Sequence, residues 1–153
     1  MTSEHQHANA NVAKIAREAL EQVCSGARVD CISEYYSPEF VDHVNDFELR
    51  GHAGVRQSVQ LYRKIFSNLS IMVLDQVVDG ERVVSRYVVK GVAYGRAVSF
   101  NGITTSQLKD GQIVEDWSVT DTLEMLRQLG RWRALGVLLR SVSKARATSS
   151  NTT

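Results

Sequence analysis

Residues 98–119 read VSFNGITTSQLKDGQIVEDWSV. Apolar and β-branched residues on both sides of Asp110-Gly111 predict two strands, because this dipeptide favours a tight turn. Residues 71–91, IMVLDQVVDGERVVSRYVVKG, repeat the pattern around Asp79-Gly80. The two hairpin signals therefore predict a long antiparallel meander in the second half of the chain.

The first half and the end of the meander show helical spacing instead. Apolar residues recur three and four positions apart, which predicts helices over residues 11–25, 28–36 and 52–67 and from Asp121 to Gly130. A short strand is expected over residues 40–44. Three helices that precede a meander are typical of an α+β domain whose helices cover one face of a curved antiparallel sheet.

The strand register of the 98–119 hairpin decides which side chains share a face. A two-residue turn would place Ile103 and Trp117 on opposite faces, whereas a three-residue loop with a left-handed Gly111 places them opposite each other. We prefer the three-residue loop, because a slip of one residue would expose the large apolar set. The same register pairs Gln107 with Ile113.

Polar residues then fall on the apolar face. Asp121, Glu115 and Gln107 would share it with Trp117, and this face is expected to point inward. A few polar groups on a mainly apolar, concave surface are typical of a small-molecule pocket.

Composition narrows the class of protein. The 153 residues and 17.1 kDa correspond to one domain, and 18 basic against 17 acidic residues give a net charge of +1. Such a balance gives no reason to expect nucleic acid as a partner. No apolar run approaches the roughly 18 residues of a membrane span, and the polar N-terminus lacks a leader pattern. We therefore expect a cytoplasmic protein without stable membrane insertion.

The two ends of the chain differ from the domain at 11–130. Residues 1–10 are polar, and we expect a disordered tail. Residues 131–153 carry basic and apolar side chains, which predict a basic amphipathic helix to about residue 143, followed by a disordered tail. That helix could pack on its own domain, on a partner subunit or on an anionic surface.

Several segments together resemble the SnoaL-like polyketide cyclase family. They are Gly102-Ile103-Thr104, residues 110–117, Asp121-Thr122-Leu123 and Gln128-Leu129-Gly130, with further matches at 40–43 and 51–55. The resemblance implies a nuclear transport factor 2-like cone, in which a bent sheet and three N-terminal helices enclose a pocket. It also implies acid–base chemistry without a cofactor or metal, a hydrophobic small-molecule substrate, and a homodimer or larger homo-oligomer.

The resemblance also implies roles for single residues. The family's general acid/base, an Asp at the end of the last strand, corresponds to Asp121. Its substrate-binding His on the preceding strand is replaced by Gln107, and the family's Gly-Thr-His run is Gly91-Val92-Ala93 here. The hairpin from Gly91 to Gly102 is short, which predicts a more open pocket.

Asp121 and His43 are the catalytic candidates. A carboxylate in an apolar pocket has a raised pKa and can exchange protons near neutral pH. Asp121 equally suits the N-cap of the following helix. His43 could hydrogen-bond a substrate oxygen or hold Asp121, or it could be a structural histidine tied to a carbonyl group.

The substrate-binding candidates surround this acid. Arg86 and Tyr87 alternate along a strand, so that one of them faces the pocket, and the sequence leaves open which one. Tyr36, or its neighbour Tyr35, could close the pocket mouth. The full set of substrate-binding candidates is Gln107, Trp117, Tyr36, Arg86, Tyr87 and Glu115.

Three functions remain in contention. The first is a cyclase, isomerase or lyase of the aldol type that acts on a polyketide-like or other carbonyl-rich molecule. The second is an epoxide hydrolase or epoxide-opening cyclase, which needs an acid two residues after Arg86, where Val88 stands. The third is a non-catalytic module that binds a small ligand or dimerises.

Overall fold

The computed structural model describes residues 2–44 and 47–130. The predicted basic helix and tail over 131–153 lie outside the described residues. Helix α1 spans Thr2–Glu18 and continues as a wider π-helical stretch over Ala19–Cys24. Residues 2–10 of the tail predicted over 1–10 belong to this helix.

The other helices are short, except the one that follows the first two strands. The region predicted as one helix over 28–36 is a 3-10 turn, Val29–Cys31, and helix α2, Ile32–Tyr35. Helix α3 spans Gly51–Ile65, and helix α4 spans Thr122–Leu129.

Six strands form one sheet in the order β2-β1-β6-β5-β4-β3. Their bounds are β1 Tyr36–Val44, β2 Phe47–Arg50, β3 Ser67–Asp79, β4 Arg82–Ala93, β5 Arg96–Lys109 and β6 Gln112–Thr120. Both predicted hairpins are confirmed as β3–β4 and β5–β6. The sheet is antiparallel except between β1 and β6, which run parallel. This pairing brings residues 36–44 of the first half against the last strand.

The register predicted for the β5–β6 hairpin is wrong. Lys109 pairs with Gln112, which leaves a two-residue turn in which Asp110 and Gly111 both have positive φ angles. A bulge on β6, where Val114 is the extra residue opposite Gln107 and Leu108, then shifts the pairing by one residue, as bulges do. The bulge places Ile103, Trp117 and Val119 on one face without a three-residue loop, whereas Ile113, on the turn side of the bulge, is buried on the other face.

The helices cover one face of the sheet, which we call the inner face. Leu108 and Ile113, at the turn end of the hairpin, are buried there with Val23 and Val59 from the helices. The opposite, outer face of the described sheet carries exposed large apolar side chains: Val77, Val84, Ile103, Trp117 and Val119. The α+β class with helices on one face of a curved sheet is thus confirmed, whereas the predicted inward face of β5 and β6 points outward.

Candidate active site

A cavity lies between the inner face and the helices. Strands β1, β3, β4 and β6 supply one wall, while the π-helical stretch and α3 supply the other. The centres of water molecules could occupy about 80 Å³ of it, which is below the roughly 300–1,000 Å³ of pockets for drug-sized ligands. A polyketide-sized molecule therefore has to displace side chains on entry. The polar residues that line the cavity are Cys24, Tyr36, Asp42, Ser58, Tyr62, Tyr87, Asp116, Ser118 and Thr120.

Asp116 is the most deeply buried acid that lines this cavity. Its residue surface is only 6% exposed, and its Oδ1 atom has no hydrogen-bond partner. Burial raises the pKa of Asp116 from 3.8 to about 7; a hydrogen bond with Ser106 opposes the rise, and the charge of Asp42 adds to it. A carboxyl group with such a pKa can both accept and release a proton near neutral pH.

Asp42 is the second acid in the cavity. It lies opposite Asp116 in the parallel β1–β6 register, and its Oδ1 atom is also buried without a partner. Burial raises the pKa of Asp42 from 3.8 to about 6, while the neighbouring His43 lowers it. The two unpaired oxygens are unusual, since buried polar atoms are nearly always hydrogen-bonded.

Phenol groups complete the polar lining. Burial raises the pKa of Tyr36, Tyr62 and Tyr87 above the ordinary value, so these hydroxyl groups stay protonated as donors. Tyr36 lies 3.2 Å from the Cys24 sulfur atom, and burial raises the pKa of that thiol to about 12. Cys24 is therefore a neutral wall residue and not a thiolate nucleophile.

The structure resolves the choice between Arg86 and Tyr87. Tyr87 is buried and lines the cavity, while Arg86 is exposed on the outer face and pairs with Asp75. The expectation that Arg86 anchors a substrate in this cavity is therefore wrong. An epoxide hydrolase site built on Arg86 loses its support for the same reason. Tyr36 lines the cavity and is buried, not placed at its mouth, and its role in substrate binding stays a prediction.

Asp121 does not lie in the cavity, contrary to the prediction. It is exposed, and its carboxylate accepts a hydrogen bond of 2.9 Å from the backbone N–H of Glu124. It is the N-cap of α4, which is the alternative that the sequence left open. The prediction that Asp121 points inward is wrong because the helices cover the face of β6 that carries Asp116, and not the face that carries Trp117.

The remaining candidates meet on the outer face. His43 Nε2 lies 2.7 Å from Glu115 Oε1, and its ring stacks on Trp117 with 5.4 Å between ring centroids. Trp117 is 40% exposed, and Gln107 hydrogen-bonds to Arg82. The prediction that His43, Glu115, Gln107 and Trp117 face the pocket is wrong, because all four belong to the alternating set that points away from the helices.

Sequence reasoning missed Asp42 and Asp116, although a signal for each was present. Asp42 lies two residues after Phe40, an apolar residue that is buried. Asp116 lies two residues before Ser118 and alternates with it along β6, in a set of residues on β5 and β6 whose side chains are small. Small side chains beneath helices leave room for a cavity, whereas large ones fill it. Alternation from the buried Phe40 would have placed Asp42 inside.

Neither a metal cluster nor a membrane span occurs within the described part of the chain. Among residues 2–44 and 47–130, no group of three or more His, Cys, Asp or Glu side chains could hold a metal ion. In the same ranges, no helix is long and apolar enough to cross a bilayer.

Comparison with known proteins identifies the family. A model of the SnoaL-like polyketide cyclase family matches residues 14–129. The chain belongs to this family. The predicted resemblance is thereby confirmed, and it spans most of the described chain. A comparison with curated proteins gave no match.

Solved structures of SnoaL-like proteins share the fold. A proposed polyketide cyclase from Bacillus cereus ATCC 10987 is 26% identical, with a TM-score of 0.67 and 78% of each chain covered. A proposed SnoaL-like polyketide cyclase from Jannaschia sp. CCS1 is 19% identical, with a TM-score of 0.71, over 79% of this chain and 92% of that one. An NTF2-like protein of unknown function from Burkholderia pseudomallei K96243 is 18% identical, with a TM-score of 0.67, over 79% and 98%. The expected nuclear transport factor 2-like fold is confirmed.

Proposed function

We propose that this protein is a cofactor-independent acid–base enzyme of the cyclase type, in which Asp116 transfers a proton to and from a carbonyl-rich hydrophobic substrate. The observation that carries the proposal is the buried Asp116 carboxyl group, which lines the cavity and has an Oδ1 atom without a hydrogen-bond partner. Its pKa of about 7 suits a group that exchanges a proton with the substrate near neutral pH. Asp116 takes the role that the sequence suggested for Asp121.

The cavity lining supports chemistry on a carbonyl group. Removal of a proton beside a carbonyl leaves negative charge on its oxygen, and a hydrogen-bond donor stabilises that charge most strongly where water is excluded. The protonated hydroxyl groups of Tyr62 and Tyr87 are donors in the same apolar space. Membership of a polyketide cyclase family supports a substrate that carries several carbonyl groups.

Deuterium exchange tests the proposal without knowledge of the natural substrate. Cyclohexanone, a small neutral ketone, is incubated with the protein in D₂O, and the loss of the hydrogens next to its carbonyl group is followed by NMR. We expect exchange above the buffer rate, and we expect Asp116→Asn to lower the protein-dependent rate by about 100-fold or more. The matched control is Asp121→Asn, which keeps the helix cap. Equal exchange by the wild type and Asp116→Asn would refute the role of Asp116.

We also propose a homodimer that uses the outer face. Trp117 and Ile103 are exposed near the centre of this face, with Val84 beside them. Contiguous apolar surface of this kind is typical of association sites. A second copy of the chain would cover it, and the cavity on the inner face would stay free.

A further inference from the structure

Two acids face the same cavity from neighbouring strands. Asp42 on β1 and Asp116 on β6 are partners in the parallel register, and adjacent strands lie about 4.8 Å apart. Residues paired in this way point to the same side of a sheet, and both side chains line the cavity. The two carboxyl groups are therefore close enough for the charge of one to act on the other.

Each of the two acids that line the cavity has one carboxyl oxygen without a hydrogen-bond partner. Among the described residues, Asp42 Oδ1 and Asp116 Oδ1 are the buried side-chain polar atoms without a hydrogen-bond partner. Asp116 is more than nine-tenths buried. Leaving such atoms unpaired costs free energy, so that a ligand with hydrogen-bond donors and acceptors recovers it on binding.

The surroundings do not neutralise two negative charges. Apart from the two acids, the titratable groups that line the cavity are thiol and phenol groups, which are uncharged: Cys24 on the π-helical stretch, Tyr36 on β1, Tyr62 on α3 and Tyr87 on β4. His43 is the described basic group next to Asp42, and it lies on the outer face, 2.7 Å from Glu115. No described Lys, Arg or His side chain lines the cavity.

We propose that Asp42 and Asp116 act as one catalytic pair that holds a single proton, with Asp42 as a second catalytic residue. The inference rests on the proposed function, since it assigns the base and the acid of the same site. Two like charges at this separation and depth are unfavourable, and one bound proton removes the repulsion. Burial raises the pKa of both acids, and the charge of Asp42 adds to the rise at Asp116, so we assign the shared proton to Asp116 in the resting site.

The pair can take up and supply the protons that an aldol ring closure moves. Ionised Asp42 removes the hydrogen next to one carbonyl group, while Asp116 gives its proton to that carbonyl oxygen, and an enol forms. The enol carbon then bonds to a second carbonyl carbon. The enol proton returns to Asp116, and Asp42 delivers its proton to the new alkoxide. One proton has moved from carbon to oxygen, and the pair has regained its initial charge.

This assignment also defines the substrate class. The substrate is an uncharged molecule with two carbonyl groups, one of which has a hydrogen on the adjacent carbon. A substrate whose carboxylate had to enter the cavity would meet Asp42 without a described cation to compensate. The predicted ligand is therefore a neutral polyketone or the ester of a polyketo acid, and not the free acid.

Carboxyl NMR tests the pair in the full-length protein. With ¹³C-labelled aspartate, the two carboxyl resonances are titrated from pH 4 to pH 9 in the wild type, Asp42→Asn and Asp116→Asn. The two variants assign the resonances. In the wild type we expect each resonance to respond in two steps, because coupled groups titrate together. Asp42→Asn should lower the midpoint of Asp116 by roughly 1 pH unit or more, since the neighbouring charge is lost.

A midpoint of Asp116 that is the same in the wild type and in Asp42→Asn would overturn the pair. If one variant fails to fold, the other still assigns one of the two resonances, and a single-step titration of that acid in the wild type would also refute the pair. Cyclohexanone exchange separates the two proposals. Loss of exchange in Asp116→Asn but not in Asp42→Asn would refute the pair and keep the proposed function. Coupled titration without exchange in the wild type would keep the shared proton but refute the proposed function and, with it, the catalytic role of the pair.

Discussion

Replacement of Asp116 by asparagine should stabilise the protein at alkaline pH. The side chain keeps its size and can keep a hydrogen bond to Ser106, but it carries no charge. In the wild type, the buried carboxyl group is disfavoured in its ionised form, and its pKa rises from 3.8 to about 7. Stabilisation by removal of an active-site acid would indicate that the protein retains Asp116 for function at a cost in stability.

The magnitude follows from the difference between the two pKa values. Below pH 3.8 the acid is protonated in the folded and the unfolded chain, and it costs nothing. Between pH 3.8 and about 7, the unfolded chain has lost this proton while the folded protein keeps it, so that stability falls by about 1.36 kcal/mol per pH unit. Above pH 7 the loss levels off at about 4 kcal/mol.

Urea unfolding at pH 4.5 and pH 8.5 measures this effect. At each pH, the free energy of unfolding of the wild type is subtracted from that of Asp116→Asn. We expect this difference to be larger at pH 8.5 than at pH 4.5 by about 2–4 kcal/mol. The matched control is Asp121→Asn, which alters an exposed carboxylate and keeps a good helix cap. A difference between Asp116→Asn and the wild type that is the same at both pH values would refute the buried-acid reasoning.

Three further substitutions test the architecture around the site. A Cβ atom at Gly102 would lie 2.6 Å from the Tyr87 hydroxyl oxygen, so Gly102→Ala should lower the free energy of unfolding by about 1–3 kcal/mol in urea; unchanged stability would contradict this packing. Glu21 Oε1 accepts the Val73 N–H at 2.8 Å, so Glu21→Ala should speed hydrogen exchange of the Val73 amide, and unchanged protection would show that this contact is dispensable. Trp117→Lys should yield a monomer in sedimentation analysis if the outer face joins two copies, whereas an undiminished dimer would place the interface elsewhere.

The secondary structure of the sheet could be predicted because its signals are local. Asp79-Gly80 and Asp110-Gly111 mark turns between β-branched runs, and both hairpins are present. The parallel contact of β1 with β6 could not be predicted in this way. It joins Asp42 to Asp116 across nearly half of the chain, and no local pattern records which strands become neighbours.

The candidate site was predicted only in part for the same reason. Tyr36 and Tyr87 line the cavity, whereas Asp121 caps a helix and His43 lies on the outer face. The family resemblance identified the correct fold. The prediction assigned the acid to the wrong residue of this region: Asp116, and not Asp121, points to the inner side of the sheet.

Alternation along a strand assigns residues to two sets, and the amino-acid sequence specifies those sets. Ile103, Glu115 and Trp117 share a face in the structure, as their spacing indicates. Which set is buried depends on where α1 and α3 pack, and these helices cover the side with the small residues and Asp116. Contacts between distant segments therefore decided which carboxyl group lost its water, because burial is a property of packing and not of spacing.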